Sequence, residues 1–240
     1  MRAILVHGMG RTAVSQMWLA ARLRRRGVKV SLFSYSATFN TFDATVKRLA
    51  EFIEKRSVKD TCVLVGHSLG CVLIRSALAE LRGAAPSACF FLAPPSKASR
   101  AAKAFRSSAI YRAFNGEMGQ FLGDPSFMDS LPIPTIPTRV YAGNKGPRGR
   151  HSPFGLEPND GILAVSETPL YEGQSIIEVP MIHTFIMNSR SVLEDILEAA
   201  RTGDIRRPDQ DGGSRDGGRS AASTGGNEAA KSSLVERDDD

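Results

Sequence analysis

The sequence is short of the residues that cross-link, bind metals or cross membranes. Its 240 residues hold three cysteines, Cys62, Cys71 and Cys89. Each lies in an apolar segment, and none shows metal-ligand spacing. An odd number of buried-looking thiols is expected as free core cysteines in a reducing, cytoplasmic compartment rather than as disulfides. No stretch approaches the roughly 18 consecutive apolar residues of a membrane span. The start, MRAILVHGMG, runs directly into a glycine-rich loop, so no removable signal peptide is expected. No zinc finger, RNA-recognition signature or basic heptad array is present, so no nucleic-acid partner is expected. Dinucleotide G-x-G-x-x-G and Walker spacings are also missing, which removes the phosphate-loop classes.

What is present is the composition of an ordinary globular protein, 42% hydrophobic and 23% charged. The formal charge of +6 is unevenly spread. From Asp204 onward there are six basic and nine acidic residues, so the 25 basic and 16 acidic ones before it leave about +9. Basic residues gather at Arg22 and Arg24–Arg26, at Arg100, Lys103 and Arg106, and at Lys145, Arg148 and Arg150. Solvated helix faces and loops are the simplest reading of these patches. An anionic substrate or a peripheral membrane contact would also use the field.

Short apolar runs alternate with helical periodicities along the chain. Strands are expected at 3–6, 28–33, 61–65, 88–92, 138–142 and 175–179. Amphipathic helices are expected at 14–26, from Phe42 to Ile53, after residue 70, and from Ser191 to Ala200 with Ser191 as cap. This alternation predicts an α/β fold with about six mostly parallel strands and helices on both faces. The predicted domain spans 1–203. The Gly/Ser/Asp/Arg-rich tail at 204–240 cannot bury enough apolar surface to order itself. Segment 94–137, with Phe105, Tyr111, Phe114, Phe121, Phe127 and Met128, is expected to wall a pocket, to act as a short lid or to pack over the sheet edge.

Gly66-His67-Ser68-Leu69-Gly70 matches the G-x-S-x-G nucleophile elbow. The pentapeptide alone is common, but here an apolar strand precedes it and an Ala/Leu-rich helix follows. A serine on so sharp a turn needs glycines two residues to either side, and the following helix N-terminus favours developing negative charge. Serine needs a base, and the base an orienting acid. Of four histidines, His7 precedes a glycine in the first loop, and His67 lies in the elbow and is expected to point away from the serine. His151 comes before the acid, and His183 follows the last strand as the base should. Acid candidates are Glu157, Asp160, Glu167, Glu172 and Glu178. Asp160 is favoured because Pro158-Asn159-Asp160-Gly161 is a turn followed by an apolar stretch. The alternative for Asp160 is a turn aspartate that binds its own backbone. Asp195 reads as an exposed helix residue. Oxyanion donors are expected from the backbone N–H of Leu69 and, in the loop His7-Gly8-Met9-Gly10-Arg11-Thr12, of Met9.

The segments VHGMGRT at 6–12, VGHSLG at 65–70, PNDGILAV at 158–165 and PMIHTFIM at 180–187 together span about 180 residues. Their order resembles that of small, lidless bacterial lipases and esterases of the α/β-hydrolase superfamily. The resemblance puts nucleophile, acid and base on Ser68, Asp160 and His183 and the oxyanion donors on Met9 and Leu69. It implies carboxylic-ester hydrolysis through an acyl-enzyme, without cofactor or metal, on a small-molecule or lipid ester. It also implies a minimal sheet that starts at the third strand of larger members. Two positions depart from the pattern: Cys71 stands where relatives carry a second glycine, and Leu92-Ala93-Pro94-Pro95 replaces a Gly-Thr-Pro stretch. The same triad would serve acyl transfer or thioester cleavage, and a binding module that kept the fold is the non-catalytic alternative.

Overall fold

The computed structural model describes residues 1–98, 100 and 117–202. Six strands form one sheet: β1 (Arg2–Val6), β2 (Lys29–Phe33), β3 (Cys62–His67), β4 (Ala88–Leu92), β5 (Thr138–Gly143) and β6 (Ile176–Val179). Their order is β2-β1-β3-β4-β5-β6, and every neighbouring pair is parallel. This is the six-stranded parallel α/β architecture that the alternating pattern predicts. The central strands are buried along almost their whole length, which is why they read as continuous apolar runs rather than as alternations.

Alternate side chains point to opposite faces of the sheet. Ile4, Val6 and Leu64 enter one core with Val46 and Leu49 of α2 (Phe42–Ser57) and Leu73 of α3 (Leu69–Glu80). Ala3, Leu5, Val63 and Val65 enter the other with Leu19 and Leu23 of α1 (Met17–Arg25). Thr41 caps α2 by accepting the Ala44 N–H at 3.4 Å. Cys62, Cys71 and Cys89 are free and buried in the first of these cores.

Two sequence expectations need correction or restriction. The last helix, numbered below in chain order as α5, spans Arg190–Thr202. Ser191 therefore lies inside its first turn and does not cap it, and Ser189 is the flanking residue, its C=O accepting from the Leu193 N–H. Within 94–137, α4 (Pro125–Ser130) is capped by Asp124, whose carboxylate accepts from Ser126 and Phe127 N–H. Phe121 and Phe127 stack on each other and meet Phe42 of α2 edge-on, and Met128 is buried. These three side chains pack over the core. Lys103, Phe105, Arg106, Tyr111, Phe114 and the tail at 204–240 lie outside the described residues.

Candidate active site

β3 ends in a turn that few residues can make. Ser68 adopts φ 51° and ψ −121°, one of two non-glycine residues at positive φ among those described. Its N–H donates to the Leu92 carbonyl at 3.0 Å, and its own carbonyl accepts from the Cys71 N–H at 2.9 Å. Such strain costs on the order of 1–3 kcal/mol and persists only where the surroundings impose it. The flanking glycines are imposed as well. A Cβ on Gly66 would lie 2.9 Å from the Cys71 nitrogen, and one on Gly70 would run into the carbonyl oxygens of Val6 and His7. Because those oxygens are backbone, no rotamer change makes room. Gly70→Ala is therefore expected to destabilise the protein by about 1–3 kcal/mol and to spoil the elbow, measured as a lowered Tm.

The second positive-φ residue, Ala93 at 48°, ends the neighbouring strand β4, with its N–H bonded to the Tyr141 carbonyl at 2.7 Å. It occupies the departure from the family's glycine noted above. Ala93→Gly should relieve the left-handed strain and stabilise the fold by about 0.5–1 kcal/mol, seen as a Tm rise of about 2 °C.

The loops after β5 and β6 bring Asp160 and His183 together. Both are buried, and His183 Nδ1 lies 2.7 Å from Asp160 Oδ2. Since a carboxylate only accepts, the proton sits on Nδ1, leaving the lone pair on Nε2. Asp160 Oδ1 accepts the N–H groups of Ile162 at 2.9 Å and Leu163 at 2.7 Å, and its carbonyl accepts the His183 N–H at 2.9 Å. The turn contacts and the contact to His183 thus fall on the two oxygens of one carboxylate. Asn159, fully buried, braces the turn: its amide donates to the Pro147 and Glu157 carbonyls and accepts from Gly161, which sits at φ 96°.

Sequence reasoning missed the residues that hold this arrangement. His67 does not simply turn away: its Nε2–H donates to the His183 carbonyl at 3.0 Å, and the two rings lie 4.9 Å apart. Tyr35 grips the first loop, stacking on His7 at 4.2 Å and donating its hydroxyl to the His7 carbonyl at 2.9 Å. Buried Gln16 donates to the Val6 carbonyl at 3.0 Å. The loop is pressed so closely on the elbow that a Cβ on Gly8 would lie 3.1 Å from Ser68 Cβ. Met9, next to it, is half-buried, and Leu69 opens α3.

The other candidates are engaged elsewhere. His151 is exposed beside Arg150. Glu157 binds Arg100 and Ser166, and Glu167 accepts from the Ala164 and Arg100 N–H groups. Glu178 meets Asn144, and Glu172 is exposed. Asp195 is half-buried rather than a free surface residue, accepting the Tyr141 hydroxyl at 2.5 Å.

Burial holds His67 well below the ordinary histidine pKa, with His183 nearby adding to the shift, and burial lowers His7 too. Burial therefore favours the neutral form of both. The unfolded chain, titrating near 6.5, binds more protons just below that value, so stability should fall as pH drops through it. Tm measured from pH 8 to 5 should decline on the acid side, and less steeply in His67→Gln.

A parallel sheet with a strained serine between β3 and α3, and a hydrogen-bonded Asp–His pair beyond β5 and β6, defines an α/β-hydrolase. The sequence profile of the Alpha/beta hydrolase family matches residues 3–180, and the chain belongs to that family. Similar solved structures include the mature lipase BlEst2 of Bacillus licheniformis, with TM-score 0.61, 18% identity, and coverage of 82% of this chain and 90% of that one. The thioesterase RedJ of Streptomyces coelicolor has TM-score 0.54 and 16% identity over 84% and 85% of the two chains. An extracellular α/β-hydrolase from a Paenibacillus species has TM-score 0.54 and 17% identity over 83% and 98%. At these identities the likeness is one of fold. No curated protein matches the chain.

Proposed function

We propose that the protein is a serine hydrolase that cleaves a carboxylic ester, of a small molecule or a lipid, through an acyl-enzyme. The reading rests on one observation above the rest: the buried 2.7 Å hydrogen bond from His183 Nδ1 to Asp160, on the sheet edge that carries the strained Ser68. Ser68 Oγ attacks the ester carbonyl carbon while His183 Nε2 takes its proton. Asp160 holds the imidazole tautomer and stabilises the imidazolium. The N–H groups of Met9 and Leu69 receive the oxyanion. Collapse of the tetrahedral intermediate expels the alcohol, protonated by His183. Water, deprotonated by the same imidazole, then releases the acid.

The proposal takes 1–203 as the hydrolase domain and 204–240 as a tail outside it, and it places the enzyme among the small lidless lipases and esterases. Buried free thiols suit a reducing, cytoplasmic compartment. Thioester cleavage and acyl transfer run through the same acyl-enzyme and differ in leaving group or acceptor. Turnover of p-nitrophenyl esters from acetate to palmitate, beside acyl thioesters, tests the reading. Ester turnover with a chain-length optimum supports it; thioester turnover alone reassigns the substrate class.

A further inference from the structure

The edge of the sheet around the candidate site is unusually apolar on its outside. Among the described residues eleven large apolar side chains are exposed. Eight of them lie on, or within one helical turn of, the connections that leave the C-terminal ends of strands. Val14, Met17 and Trp18 follow β1, and Phe39 follows β2. Leu156 and Ile162 follow β5, and Ile182 and Phe185 follow β6 and flank His183. In a parallel sheet all these connections emerge at one edge, the edge that carries Ser68 and His183. α1 packs against the His183–Asn188 turn, which brings the first and last of these groups to neighbouring positions. Exposed side chains scattered singly need no explanation, whereas a concentration around a site marks an interaction surface.

Charge says what the surface meets. Segments 7–16, 34–41 and 180–189 contain no carboxylate and one arginine, Arg11. The loop after β5 adds exposed Lys145, Arg148 and Arg150, none in an ion pair among the described residues. Of the carboxylates nearby, Asp160 is held by His183, Glu157 by Arg100, and Glu167 by Arg100 and the Ala164 N–H, and Asp43 is exposed in the first turn of α2. An apolar face with an unpaired cationic rim fits an anionic lipid surface, where the apolar side chains enter the headgroup boundary and each nearby cation adds attraction. A second copy of the chain fits worse, because a two-fold contact would set the same cations against one another.

We propose that this edge docks on an anionic lipid surface, with the candidate site facing the acyl chains. In naming lipid esters as the substrate class the proposal rests on the ester-hydrolase reading, but the docking is tested without turnover. Trp18 is the sole tryptophan of the chain, 38% exposed on this face, with Arg22 4.5 Å over its ring. Its fluorescence therefore reports the surface directly.

The full chain is titrated with vesicles of phosphatidylcholine containing phosphatidylglycerol and, separately, of phosphatidylcholine alone, with flotation measured in parallel. The expected result is a blue shift and loss of acrylamide quenching with the anionic vesicles, weakened by salt and smaller with the neutral ones. The double variant Val14→Ser/Phe39→Ser should bind about tenfold or more weakly, with unchanged circular dichroism and unchanged turnover of a short soluble ester. Lys145→Ser/Arg148→Ser should erase the preference for anionic vesicles. Trp18 emission unmoved by lipid, with the protein left at the bottom of the gradient, overturns the proposal. So does a shift that follows protein concentration without lipid, which assigns the face to a second copy.

Discussion

Ser68→Ala should lower kcat on a p-nitrophenyl ester by about 10⁴–10⁶-fold while leaving a folded protein. The hydroxyl is the only group removed, and the hydrogen bonds that hold the elbow, from the Ser68 N–H to Leu92 and from the Cys71 N–H to the Ser68 carbonyl, are backbone ones. Residual rate above water would come from substrate binding and oxyanion donors, which the substitution spares. Ser68→Gly sharpens the test. Glycine accepts φ 51° without strain, so this variant should gain about 0.5–1 kcal/mol of stability while losing the same activity. Opposite movements of Tm and kcat at one position would show that the backbone strain serves the chemistry. Circular dichroism, thermal melting and initial rates on the three proteins are sufficient.

Asp160→Asn should cost about 10⁴-fold in kcat with little change in fold. The asparagine oxygen can still accept the Ile162 and Leu163 N–H groups that Asp160 Oδ1 accepts now, so the turn survives. The other end of the side chain changes from acceptor to donor. It then faces His183 Nδ1, 2.7 Å away in the wild type, and drives the ring proton to Nε2, where the lone pair is needed. The loss belongs to kcat rather than to KM, because the carboxylate acts through the imidazole. Asp195→Asn is the contrast. Its partners are the Tyr141 hydroxyl and the Arg139 guanidinium, both on β5, so activity should be retained and any effect should appear in Tm.

How much of this was legible in the sequence divides along a physical line. The central strands were readable to within a residue or two because a strand buried on both faces must be apolar throughout, and the edge strands β2 and β6, only partly buried, were readable from shorter apolar or alternating runs. The elbow was readable because its glycines are demanded by contacts made within a few residues and against the adjoining strand. Asp160 and His183 followed from the order of loops on the sheet. What stayed hidden were partners far apart in sequence. Nothing local in His67 announces that it will hold the carbonyl of a residue 116 positions away. Tyr35 likewise reads as a strand-end aromatic until the fold lays it on His7. Asn159 reads as turn punctuation, and only its burial with the amide and carbonyl both engaged shows it bracing the turn that carries Asp160. Ser191 reads as a cap by its residue type alone, and the helix begins one residue before it, at Arg190.

The central claim is an activated nucleophile at Ser68, and covalent labelling addresses it most directly. The folded wild-type protein would be incubated with a fluorophosphonate, digested, and the modified peptide sequenced by mass spectrometry. The account predicts a single phosphonylated residue, Ser68, formed rapidly at neutral pH, slowed in Asp160→Asn and absent in Ser68→Ala. A folded wild-type protein that takes up no label, or one labelled at another residue with ester turnover surviving Ser68→Ala, would contradict it.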